Sequence, residues 1–166
     1  MTSSVLGLVG RNGSGKSTVC KLLQAEGFEV ISLSDFVRDA VRTLGLSINR
    51  DRLTETGNQL KEQFGQHVLA ERAFQSAVQL SASKVVFDSI RNESEITYLK
   101  QQGVKIIGIE APLSVRYERI SQREGDTDNV DFTTFQHQDD RESTGESSGQ
   151  HIDAALALCD AHIQNS

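Results

Sequence analysis

Gly10-Arg11-Asn12-Gly13-Ser14-Gly15-Lys16-Ser17 fits the spacing G-x-x-x-x-G-K-[ST], whose glycines let successive backbone N–H groups wrap phosphate oxygens at a helix N-terminus. In that pattern Lys16 neutralises the β- and γ-phosphates of a nucleotide and the Ser17 hydroxyl ligates Mg²⁺. Asn12, Gly13, Ser14, Gly15 and Thr18 supply the rest of an ATP-binding cradle. A glycine-rich turn carrying an exposed lysine is the plain alternative. The apolar run before the loop and the helical spacing after it argue against that alternative.

Other residues bear charges suited to phosphate chemistry. Asp88 ends the apolar run 84–87, where an open α/β sheet binds its ligands; it either holds Mg²⁺ through water or caps the next turn. Arg116, Arg119 and Arg123 are spaced three and four apart, so on a helix they share one face. Asp35 binds or orients an acceptor, or else caps a helix, and Arg38 is either a phosphate ligand or a solvated surface charge. His67, His137, His151 and His162 show no metal-ligand spacing, and Cys20 and Cys159 are expected to pack as small apolar groups. The base-reading NKxD of GTPases is absent, and Glu146-Ser147-Ser148-Gly149-Gln150 is at most a faint echo of a transporter ATPase signature.

These residues must be positioned by a scaffold. Val5 to Val9 predicts a strand running into the loop, and Val19, Leu22 and Leu23 a helix ending at Gly27. A second strand spans 29–33, with a helix beyond it through Val37, Val41 and Leu44. Residues 58–80 carry helical periodicity throughout, with Gly65 as a place to bend. The runs 84–88 and 105–109 are apolar without alternation, as parallel strands covered on both faces must be. From 121 to 150 the only apolar residues are Val130, Phe132 and Phe135, so this stretch is expected to be a mobile flap or a partly disordered insertion. A short helix from Ile152 and a last strand near Ala161 close the chain.

The 166 residues suit one domain, and 37% hydrophobic content with 5% aromatics and no Trp implies a core of Val, Leu, Ile and Ala. No apolar run approaches the ~20 residues of a membrane span, and Met1-Thr2-Ser3-Ser4 does not resemble a secretory signal, so a cytoplasmic protein is expected. A net charge of −6 argues against general nucleic-acid binding, which leaves nucleotide small molecules as the expected partners. The oligomeric state is left open.

In order along the chain, the motifs resemble the P-loop nucleoside monophosphate kinase superfamily, which includes adenylate kinase, dephospho-CoA kinase and phage deoxynucleotide kinases. The opening 7–18 is similar to dephospho-CoA kinase, and Ser34-Asp35-Phe36-Val37-Arg38 to the adenylate kinase segment whose Arg grips the acceptor phosphate. Asp88-Ser89-Ile90-Arg91-Asn92 resembles the D-G-F-P-R segment, one residue shorter and without its Gly and Pro. Arg116, Arg119 and Arg123, then Asp139-Asp140-Arg141, resemble an arginine-lined lid, and 160–165 the last strand of dephospho-CoA kinases.

The resemblance implies an α/β P-loop NTPase fold with a five-stranded parallel sheet flanked by helices. It implies one kinase domain over 1–166, with an acceptor-binding helical region at about 35–80 and a lid at about 121–150. It further implies catalytic roles for Lys16, Arg119, Arg123 and Arg141, with Arg119 also on ATP. Acceptor binding falls to Asp35, Arg38, Arg91, Arg123 and Arg141, and metal binding to Ser17 and Asp88. The expected reaction takes ATP, with Mg²⁺, and a nucleoside or deoxynucleoside monophosphate to ADP and the diphosphate. A dephospho-CoA kinase-like enzyme and a non-catalytic nucleotide-binding regulatory module remain the rivals. Asp35 fits either a phosphate acceptor, which needs no base, or a hydroxyl acceptor, which does.

Overall fold

The computed structural model describes residues 4–122, 130–144 and 151–166. Five strands, β1 (Ser4–Val9), β2 (Glu29–Ser32), β3 (Lys84–Asp88), β4 (Lys105–Glu110) and β5 (Ala161–Gln164), form one sheet. Its order is β2-β3-β1-β4-β5 and every pairing is parallel. Parallel neighbours need crossovers, and helices supply them. They are α1 (Lys16–Ala25), α2 (Leu33–Thr43), α3 (Arg50–Phe64), α4 (Val68–Gln79), α5 (Glu93–Gln101), α6 (Leu113–Ser121), α7 (Phe132–Thr144) and α8 (Ile152–Ala157).

The uninterrupted apolar strands are explained by two covered faces. Val85 and Phe87 join Val9, Ile31 and Ile106 beneath α2, α4, α5 and α8, while Val86 joins Leu8 and Ile109 beneath Cys20 and Val19 of α1. Because β1 and β3 lie side by side and parallel in the middle, their carboxyl ends deliver the 10–18 loop and Asp88 to the same edge of the sheet. Among the described residues no helix is long and apolar enough to cross a membrane.

Two expectations need correction. The periodic stretch 58–80 is two helices, not one bent helix: α3 starts earlier, where Asn49 accepts a hydrogen bond from the Arg52 N–H, and ends where Gly65 adopts φ 104°. That conformation is open to glycine and strained for other residues, so the chain turns there and restarts at Val68. The flap expected over 121–150 contains α7, which is a formed helix; 123–129 and 145–150 lie outside the described residues. Phe135 is only 3% exposed and packs 5.7 Å from the Tyr117 ring and 5.8 Å from the Arg116 guanidinium. Counting apolar residues undervalued this helix because its other anchor is a buried carboxylate, Asp139.

Candidate active site

The 10–18 loop leaves β1 and enters α1, with Lys16 as the first helical residue. Its crest is pressed against α6: a Cβ on Gly13, whose φ is 79°, would sit 2.6 Å from the Arg116 carbonyl oxygen. Lys16 Nζ folds back over the loop, donating to the Gly10 carbonyl at 2.5 Å and the Arg11 carbonyl at 3.2 Å. Burial pushes its ammonium down to about 8, a shift opposed by the carboxylate of Asp88 and reinforced by the nearby charge of Arg91. Asp88 ends β3 with a buried Oδ1 that has no hydrogen-bond partner among the described residues, and the buried Ser14 hydroxyl likewise has none among them. Buried polar atoms without partners are costly unless a ligand completes them.

The lowered lysine has a measurable consequence. Between about 8 and 10.5 the unfolded chain keeps a proton that the folded chain has lost, so the stability of the free protein rises with pH across that window. A triphosphate reverses the preference, because its charge favours the ammonium. ATP binding just above pH 8 is therefore expected to take up part of a proton, read by calorimetry in buffers of different ionisation enthalpy. Lys16→Met should abolish the uptake; equal uptake in that variant would assign the proton elsewhere.

Arg119 lies beside the loop, its Nη1 3.5 Å from the Gly13 carbonyl oxygen. Arg116 differs from the sequence expectation: it is 3% exposed and does not line a solvent-facing lid. Its guanidinium makes a bidentate pair with Asp139 at 2.6 and 2.8 Å and donates to the Asn12 and Ala111 carbonyls at 3.2 and 3.0 Å. Arg11 reaches the same carboxylate at 2.7 Å and also pairs with Asp153 of α8. Burial alone would push Asp139 up, but its bonds to Arg116 and Arg11 hold it below the usual carboxylate range. Spacing put Arg116 and Arg119 on one face, but positions three apart still differ by about 60° around a helix, and Arg116 is buried while Arg119 stays half-buried at the loop.

Beyond β2, on α2, Arg38 pairs with Asp35 at 2.7 Å and donates to the Ser34 hydroxyl at 2.9 Å. Arg91 is half-buried after β3, and its backbone N–H donates to Glu95 at 2.8 Å. Glu95 is 1% exposed, and burial pushes its carboxyl up against the opposing pull of Lys61 on α3. Arg141 sits on the exposed side of α7, and Arg123 lies outside the described residues. Burial pushes the Cys20 and Cys159 thiols to about 11, and both are free, as residues that merely pack should be.

Sequence reasoning missed three groups. Asn165, beyond β5, donates to the Ser14 carbonyl at 2.9 Å across 151 residues of chain. Asp139 and Arg11 tie α7 to the loop, and the hydroxyls of Ser32, Ser34 and Ser89 meet at the ends of β2 and β3. No local spacing signals these contacts, although Ser89 stands where the resembled segment has its glycine.

Comparison with known proteins agrees with this geometry. The AAA domain family model matches residues 6–144. UPF0200 protein MMP1282 of Methanococcus maripaludis is 30% identical over 141 residues, which cover 83% of this chain and 77% of that protein. The crystal structure of TT1252 from Thermus thermophilus superposes with a TM-score of 0.62 at 19% identity, covering 100% of this chain and 90% of that one. Shikimate kinase from Bacteroides thetaiotaomicron gives a TM-score of 0.57 at 11% identity, covering 97% and 86% of the two chains. The fold is that of the P-loop kinases, and the chain belongs to the AAA domain family and to the UPF0200 family.

Proposed function

We propose that the protein transfers the γ-phosphoryl group of ATP to a nucleoside or deoxynucleoside monophosphate. An acceptor phosphate oxygen bonds to the γ-phosphorus as the β–γ bridging P–O bond breaks, giving ADP and the diphosphate. What supports this reading is the charge gathered past the carboxyl ends of β1, β2 and β3: Lys16 and Asp88, which the reading assigns to the donor side, and Arg38 and Arg91, which it assigns to the acceptor side. Cations on both sides suit two anionic substrates whose mutual repulsion must be offset as they approach. Arg38 already occupies Asp35 Oδ1, which favours a phosphate acceptor over a hydroxyl acceptor that needs an unengaged base.

The donor side fits Mg²⁺ carried by the nucleotide. The orphaned, buried Asp88 Oδ1 and the Ser17 hydroxyl in the first turn of α1 would hold the ion, and among the described residues no group of three or more His, Cys, Asp or Glu forms a cage of its own. When bound, it would add charge stabilisation on the transferring phosphoryl group. Lys16 holds the β- and γ-oxygens, Arg119 approaches from α6, and Asn165 and Arg116 keep the loop open by taking its carbonyls.

Arg38→Ala and Arg91→Ala test the assignment of sides. Each removes charge-assisted bonds to the acceptor phosphate worth ~1.5–3 kcal/mol, so KM for the monophosphate should rise ~10–100-fold. ATP affinity measured without acceptor should change less than twofold. Loss of ATP affinity with unchanged acceptor KM would mean the two sides are reversed.

A further inference from the structure

Ser32 ends β2, Ser34 lies in the first turn of α2, and Ser89 follows β3 directly after Asp88. Their Oγ atoms form a triangle: Ser32 to Ser34 at 2.9 Å, Ser32 to Ser89 at 3.0 Å and Ser34 to Ser89 at 3.4 Å. A hydroxyl has one proton to donate, so the three can satisfy one another in a ring while Arg38 donates into Ser34 at 2.9 Å. Ser32 occupies the N-cap position of α2 yet makes no capping bond with its side chain. Its hydroxyl is committed to the triangle.

Ser89 adopts φ 64°, a left-handed conformation in which a Cβ is unfavourable and glycine is at no disadvantage. Among the described residues only Ser81 shares this property outside glycine. A serine at such a position forgoes backbone stability, and what it adds over glycine is the hydroxyl that closes the triangle. The triangle adjoins Asp88, the residue in register with Ser32, and so borders the point where donor and acceptor phosphates meet.

We infer that Ser89, together with Ser32 and Ser34, is a specificity-determining residue whose hydroxyl donates to the phosphate of the incoming monophosphate; this rests on the phosphotransferase reading above. In the free protein the hydroxyl protons are held within the ring and Arg38 is held by Asp35 and Ser34. On binding, the phosphate oxygens take the hydroxyl protons and the Arg38 guanidinium. A nucleoside lacking the phosphate has nothing to exchange for those bonds.

The experiment compares wild type with Ser89→Gly, Ser89→Ala and Ser32→Ala. It combines steady-state kinetics on each ribo- and deoxyribonucleoside monophosphate with ATP and Mg²⁺ and thermal melting of the free protein. All three variants should show monophosphate KM raised ~10-fold and ATP KM within twofold of wild type. Ser89→Gly alone should melt higher than wild type, by roughly 4 °C, because it relieves the backbone while losing the hydroxyl. Unchanged monophosphate KM in the variants of a wild type that turns over would overturn the inference and leave the proposed reaction standing. A lower melting temperature for Ser89→Gly would also overturn it, since the serine would then be structural. Absence of transfer by wild type to any monophosphate would overturn both.

Discussion

Lys16→Ala should reduce phosphoryl transfer by ~10²–10⁴-fold and leave a folded protein that melts no lower than wild type. The loss follows from deleting a fixed positive charge at the β- and γ-phosphates, worth ~3–5 kcal/mol where preorganised groups meet developing charge. The stability follows from the same burial that lowers the lysine: its ammonium, held at about 8 against 10.5 in the unfolded chain, is an unfavourable resident of the loop near neutral pH. Truncation removes that cost along with the bonds to the Gly10 and Arg11 carbonyls. A kinetic assay beside a melting curve checks both halves. Near wild-type turnover in a folded variant would remove Lys16 from the donor site.

Asp139→Asn should destabilise the protein by ~3–5 kcal/mol, the cost of leaving a buried guanidinium without its counter-charge. Arg116, 3% exposed, would be left with at most one neutral acceptor oxygen in place of its bidentate carboxylate, and Arg11 would keep only Asp153 as a charged partner. The damage should spread to the site. Asn12 and Gly13 rest on Arg116 and α7 is bolted to the loop through Asp139, so ATP affinity should fall with stability. Replacing both members, Arg116→Met with Asp139→Leu, should recover part of the stability, since an apolar pair leaves no unpaired charge between them, while ATP affinity stays low because the Asn12 carbonyl has lost its donor. Denaturant unfolding and nucleotide titration report the two effects separately. Because Asp139 is held below the usual carboxylate range, its contribution is present above that range and is lost as pH falls through its lowered value. A single variant as stable as wild type would show that the pair is incidental.

The parts legible in the sequence are those encoded by contiguous residues. The loop is read in nine consecutive positions, and the buried strands announce themselves because Val85, Val86 and Phe87 have nowhere polar to face. Arg38 and Asp35, three apart on one helix, pair as helical spacing allows. The illegible parts are polar contacts across long stretches of chain. Arg116 reads as one of three surface arginines until Asp139, 23 residues later, turns it into a core residue. Asn165 reaches Ser14 only because β5 is laid beside β4. Gly65 is visible as a weak point, but the conformation that breaks the helix there is a property of the packed structure. Ser89 looks like a departure from a glycine pattern, whereas its backbone keeps the glycine-like conformation.

Transfer to a monophosphate is decided by a mass-resolved screen of the full chain with ATP and Mg²⁺ against every ribo- and deoxyribonucleoside monophosphate and dephospho-CoA. At least one diphosphate product should form with stoichiometric ADP and be lost in Lys16→Ala. ATP bound without transfer to any acceptor, or transfer to dephospho-CoA alone, would contradict it.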